Sequence, residues 1–169
     1  MEDRNLSYVR YIERTKAYYQ AEGYDKPYQW ANYDDVPFTP LKKPLAESSL
    51  ALVSTSEIAS RRWKDQRLPL ERGEAANVYG VPVDTPVEEL YSRTDSYDMN
   101  ATTLDDVNSY FPVTRLQELA EAGRIGSLAP TAYGVYNAYS QSKTIGTDAP
   151  EVLQGCRDED VDIALLVPV

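Results

Sequence analysis

The chain has 169 residues, 42 % of them apolar, a formal net charge of −10, no histidine and one cysteine. That is enough chain and enough apolar surface for one core, and the acidity argues against nucleic acid and anionic membranes as partners. Without histidine there is no Ser-His-Asp or Cys-His catalysis and no His-containing metal site within the chain, and one cysteine forms no internal disulfide.

The segment from Met1 to Tyr8 lacks the apolar core of a signal peptide, and no run approaches membrane-spanning length; a cytoplasmic location is expected. Leu6 to Gln20 reads as a helix, with Leu6, Val9, Ile12, Ala17 and Tyr19 broadly on one side and Gly23 placed to end it. From Tyr24 to Pro44, Pro27, Pro37, Pro40 and Pro44 alternate with Tyr28, Trp30, Tyr33 and Phe38. Proline at that density predicts an extended arm, either a packed loop or a partner contact.

Ser49 to Ser54 reads as a buried strand. The hydroxyl cluster Ser54, Thr55 and Ser56 then stands at the carboxyl end of that strand, where α/β sheets hold ligands, although Ser and Thr also serve as turn and cap residues. Arg61 to Gly73 holds the one basic cluster and reads as a solvated loop. Ala76 to Val83 reads as a short strand, and Thr85-Pro86-Val87-Glu88 as the start of a short helix. Leu90 to Tyr97 turns strand-like or irregular, and Thr103 to Asp106 offers a weaker capping pattern.

Pro112 to Gly123 is the clearest helix, with Val113, Leu116, Leu119 and Ala120 as its buried stripe and Gly123 as its stop. The stretch containing Tyr133, Tyr136 and Tyr139 reads as a core-lining loop or irregular helix. Asp148-Ala149-Pro150-Glu151 reads as a capping box opening a last helix, on which Cys156 is expected to be a small core residue. Asp158, Glu159, Asp160 and Asp162 lack the glycine and terminal glutamate of a calcium loop. The unbroken apolar run Ile163 to Val167 reads as a parallel strand buried on both faces.

Strand and helix in alternation predict an α/β fold: a partial Rossmann-like sheet of mostly parallel strands with flanking helices, preceded by the N-terminal helix and the Pro/aromatic arm. The expected division is 1–45 for helix and arm and 46–169 for the α/β part. A sequence that stops on a central strand suggests a fragment whose uncovered sheet would self-associate. No G-x-G-x-x-G or P-loop is present, and no cofactor is expected in this chain.

Val9 to Tyr19 (V-R-Y-I-E-R-T-K-A-Y-Y), Asp35 to Leu45 (D-V-P-F-T-P-L-K-K-P-L), Ala51 to Thr55, Asp105 to Pro130 and Ala149 to Val169 follow one another in this order. Together they resemble the selenoprotein B family of glycine, sarcosine, betaine and D-proline reductases over essentially the whole chain. The resemblance implies reductive cleavage of the C–N bond of a small amino acid or betaine, with electrons from a thiol system. It implies partners as well: other reductase subunits, one carrying a pyruvoyl group, and a thioredoxin-like electron donor.

In that family the apolar strand and V-P-V run directly into a reactive selenocysteine or cysteine. The catalytic residue would then lie just past Val169, encoded by a UGA codon, and this chain alone would be inactive. Position and family pattern make Ser54, Thr55, Ser56, Asp105, Asp106 and Asn108 the candidate substrate-binding residues. The alternative is a non-catalytic α/β module that binds a small molecule or another protein.

Overall fold

A computed structural model describes residues 10–24, 26, 33–62, 77–95, 97, 99–100, 102–136 and 140–169. They divide into two compact units, Met1–Phe38 and Thr39–Val169.

The first unit contains α1, Tyr11–Ala21, which buries none of its residues. The expected stripe is not a stripe: Ile12 and Ala17 are five positions apart, about 140° around a helix, and both are exposed. Leu6 and Val9 lie outside the described residues. Gly23 takes φ +83 just past the helix end, as its placement predicts. Tyr19 meets Tyr18 and Tyr24 edge-on, with ring centroids 5.8 and 5.4 Å apart. Of the arm, Pro27, Tyr28 and Trp30 are outside the described residues. Val36 and Phe38 are in solvent, Phe38 at 91 % exposure.

The second unit is α/β. Its first strand, β1 (Ser49–Ser54), has the span expected from sequence and is buried from Leu50 onward. The other strands are β2 (Ile58–Ser60), β3 (Val78–Pro82), β4 (Leu90–Ser92), β5 (Ser127–Leu128), β6 (Thr131–Val135) and β7 (Ile163–Val167). On one side of β1 run β5, paired with Ser49 and Leu50, and β6, paired with Val53 and Ser54. On the other side β7 pairs with Leu50 through Ser54. All three are parallel to β1, and β3 adds an antiparallel edge to β6. The sheet is therefore mixed but mostly parallel, and β2 and β4 form a separate antiparallel pair.

Two helices flank the sheet: α2 (Val113–Glu121) and, after the one-turn α3 (Gln141–Lys143), α4 (Ala149–Asp158). Alternation along β1 sends Leu50 and Leu52 to one core and Ala51 and Val53 to the other. The first core gathers Ile58, Val81, Leu90, Tyr110, Phe111, Val113, Leu116 and Ile125, and the second Val78, Ala129, Tyr133 and Cys156. Val113 and Leu116 are buried as expected, Ala120 partly, while Leu119 is exposed at the rim.

Four expectations need correction. Thr85 to Glu88 opens no α-helix: the Thr85 hydroxyl donates to the Pro82 carbonyl at 2.7 Å, and Val87–Glu89 makes only a 3₁₀ turn before β4 begins. The Tyr/Ala/Gly stretch is neither loop nor helix in its described part, but strand β6. Gly134 lets the Tyr79 ring of β3 lie across it, where a Cβ would come within 2.2 Å of that ring; Tyr139 lies outside the described residues. Asp148 does not cap α4. Its backbone is helical and continuous with a π segment, Thr144–Asp148, and its side chain makes no capping bond. Finally, β7 is not buried on both faces. It is an edge strand with Ala164, Leu165 and Leu166 exposed; the doubly covered parallel strand is β1.

The start of β7 is fixed by Asp162, whose Oδ2 accepts from the Ser49 N–H at 2.8 Å and pairs with Lys43 Nζ at 2.7 Å. Lys43, then the Ser49 amide, hold this carboxyl below its ordinary value of 3.8. A depressed carboxylate contributes stability above its unfolded pKa and loses it as pH falls through the folded one. Asp162→Asn should therefore be less stable than the parent at about pH 7, with the gap closing as pH falls below 3.8. Urea unfolding across that range checks it, and a gap that stays constant with pH would refute the assignment.

Candidate functional site

Of the six residues proposed from sequence, Ser54 and Ser56 bond to each other at the carboxyl end of β1, Thr55 turns to β7, and Asp105, Asp106 and Asn108 lie in and beside the turn before α2. Ser54 closes β1, buried to 1 % exposure. Its Oγ lies 2.8 Å from both the Tyr110 carbonyl oxygen and Ser56 Oγ, and the Ser56 N–H donates to it at 3.2 Å. A hydroxyl has one proton. The carbonyl can only accept, so Ser54 donates to Tyr110 and the Ser56 hydroxyl donates to Ser54. Both serines are thus engaged in internal bonds.

Thr55, half-buried between them, turns toward β7. Its Oγ1 accepts from the Val169 N–H at 2.8 Å and donates to the Val169 carbonyl at 3.3 Å, while its own N–H donates to the Val167 carbonyl. Thr55 therefore holds the end of β7 against the end of β1.

Asp106 and Asn108 belong to a capped turn, the 3₁₀ stretch Val107–Ser109. Asp106 Oδ1 accepts from the Asn108 N–H at 2.9 Å. Asn108 Oδ1 accepts from the Thr114 N–H at 3.2 Å and the Thr114 hydroxyl at 2.7 Å, satisfying a free amide in the first turn of α2. Asp105 is exposed on a polar groove of about 410 Å³ with Arg61, Glu88, Tyr91 and Asp106. There Arg61 lies 5.5 Å from the Tyr91 ring centroid and donates to the Glu88 carbonyl at 2.9 Å. Tyr110 joins this turn to Ser54, and burial pushes its phenol up.

A larger cavity, about 620 Å³, runs along β7 under α4. It is bounded by Val161 and Ile163 at one end and by Thr55, Val135 and Pro168 at the carboxyl end, with Val152, Leu153 and Cys156 on the helix side. Cys156 is the small core residue expected. Burial, then the charge of Glu159, pushes its thiol up, away from the thiolate a nucleophile needs. Tyr133 packs beside it where α4 carries Gly155, whose Cβ would fall 2.3 Å from the Tyr133 hydroxyl. Burial, then Glu159, pushes the Tyr133 phenol up to about 12.

The residue that sequence reasoning missed is Asp148. It lines this cavity at 3 % exposure. One oxygen accepts a long 3.4 Å bond from Asn77 Nδ2, and the other, Oδ1, is buried with no hydrogen-bond partner. Its position before Ala149-Pro150 imitates an N-cap so well that local pattern hides it.

Among the described residues there is no cluster of three or more His, Cys, Asp or Glu side chains suited to a metal ion, and no helix long and apolar enough to cross a membrane. A scan against protein-family models, a search of curated proteins and a search of solved structures each return no match to this chain.

Proposed function

We propose that this chain is the scaffold portion of a selenoprotein B-like reductase, which cleaves the C–N bond of a small amino acid or betaine with a selenolate or thiolate that follows Val169. The observation that carries this reading is the pinning of Val169 to Thr55. Two hydrogen bonds fix the end of β7 beside the end of β1, so a residue joined there would begin at the carboxyl edge of parallel strands, where α/β proteins bind ligands. A selenolate needs no histidine base at neutral pH, which suits a chain with none. Electrons would come from a thioredoxin-like donor, and other reductase subunits would complete the assembly.

The coding sequence and the native protein test this. A UGA codon after Val169, and a native protein heavier than 19.0 kDa that contains selenium or an added cysteine, support the reading. A UAA or UAG codon with a native mass of 19.0 kDa overturns it. That second result would favour a non-catalytic binding module, a reading supported by the exposed Val36 and Phe38 and by the internal engagement of Ser54 and Ser56.

Self-association is part of the same proposal. The outer edge of β7 has no strand partner among the described residues, and Leu166 is 68 % exposed, so two copies can pair through this edge. Light scattering on the recombinant chain should report dimers or larger species, which Leu166→Lys should reduce; a monomeric parent chain would count against the pairing.

A further inference from the structure

The cavity of about 620 Å³ along β7 has a chemistry that the reductase reading does not supply. Its lining is aliphatic over most of its area, and its volume of about 620 Å³ falls in the range of small-molecule sites. The polar groups around it are few and mostly satisfied. Thr55 is bonded to Val169, and Asp162 to Lys43 and the Ser49 amide. Asp148 is the exception, because Oδ1 has no donor.

A buried carboxylate oxygen without a donor carries an uncompensated desolvation penalty, larger for a charged group. Such groups are few in native structures, and a bound donor is one way in which they are satisfied. The backbone around Asp148 points the same way. Thr144–Asp148 is a π segment, a conformation found mostly as single turns at functional sites, and Asp148 is the one residue of it that is buried. Without the π turn this position would be the solvent-facing N-cap that its sequence resembles.

We propose that this cavity binds a protonated aliphatic amine, with Asp148 Oδ1 accepting an ammonium N–H and the alkyl chain lying along Val152, Leu153, Val161 and Leu166. Three features select this ligand. The unmet group is an acceptor carrying negative charge, so the complement is a cationic donor. One carboxylate with no neighbouring acid cluster does not make the six or more oxygen ligands that calcium takes. Among the described lining residues there is no Lys or Arg to receive a carboxylate, so the site suits an amine better than an amino acid. Oδ1 itself is closed to water, so binding requires the π turn to give way as the amine enters. The assignment rests on Asp148 and its cavity and stands whether or not a catalytic residue follows Val169.

The test is calorimetric titration of the full recombinant chain with n-butylammonium, n-butanol and norvaline. Butylammonium should bind, and norvaline, which adds a carboxylate to a similar chain, should bind at least about tenfold more weakly. Asp148→Asn should weaken butylammonium about ten- to a hundredfold, the loss of one charge-assisted hydrogen bond, and leave butanol unchanged, which also shows the cavity intact. Val152→Phe, which fills the cavity and keeps the carboxylate, should abolish binding of both. The proposal is overturned if butylammonium fails to bind the parent chain, if it binds Asp148→Asn or Val152→Phe as well as the parent, or if norvaline binds equally.

Discussion

Phe111→Ala should destabilise the α/β unit by about 3–5 kcal/mol, the usual cost of emptying a fully buried aromatic site. Phe111 is 0 % exposed and the largest of the fully buried side chains. It sits where the chain leaves the Val107–Ser109 turn and enters α2. Its N–H donates to the Val107 carbonyl and its carbonyl accepts from Val113, both at 2.7 Å. The ring lies in the core with Leu52, Ile58, Val81, Leu90 and Leu116, so it joins β1, the β2–β4 pair, β3 and α2. These elements cannot collapse into the void together, because each is held by its own ladder or helix bonds. A single domain is stable by about 5–15 kcal/mol, so the loss would be roughly a fifth of the total or more. The contrast is Leu166→Ala. In sequence Leu166 reads as buried, but it is largely exposed on β7, and its truncation should stay within about 0.5 kcal/mol. Urea midpoints of the two variants, measured below the association range, separate them; equal losses would mean that β7 is covered in solution.

The contrast also shows what a linear pattern can carry. An apolar run reports that a strand tolerates burial, not which strand receives it. Ser49–Ser54 and Ile163–Val167 read alike; coverage on both faces and both edges went to β1 because β5, β6 and β7 all add to it. The helix Val113–Glu121 was legible to its last turn, since Val113 and Leu116 repeat at helical spacing and Gly123 takes a positive φ. β6 was not, because Ala132 and Gly134 make a poor strand by propensity. They work only because the Tyr79 ring fills the space that Gly134 leaves, a contact across two strands. The alternation of extended and helical segments was enough for the α/β class and for mostly parallel pairing, and it located the sheet end where Ser54 and Thr55 stand. It could not separate a hydroxyl kept for a ligand from one spent on the fold, and it took Asp148 for a cap, because the π turn that buries it comes from packing rather than from local preference.

Ser54→Ala should cost about 2–3 kcal/mol, far more than a surface serine, because the hydroxyl lies between three polar groups in a buried place. It gives its proton to the Tyr110 carbonyl and accepts from both the amide and the hydroxyl of Ser56. Alanine removes the donor to Tyr110 and leaves the Ser56 groups without that acceptor. Ser56→Ala should cost about 1 kcal/mol, since Ser54 keeps its bond to Tyr110. The double variant should fall short of the sum by about 0.5 kcal/mol or more, as groups sharing one network do. The cycle decides a functional point. If Ser54→Ala were within about 0.5 kcal/mol of the parent, the hydroxyl would be contributing nothing to the fold and would regain its place as a ligand group. The expected loss removes Ser54 and Ser56 from the binding surface. Of the polar groups lining the cavity along β7, Thr55 is bonded to Val169, and Asp148 keeps one oxygen without a partner.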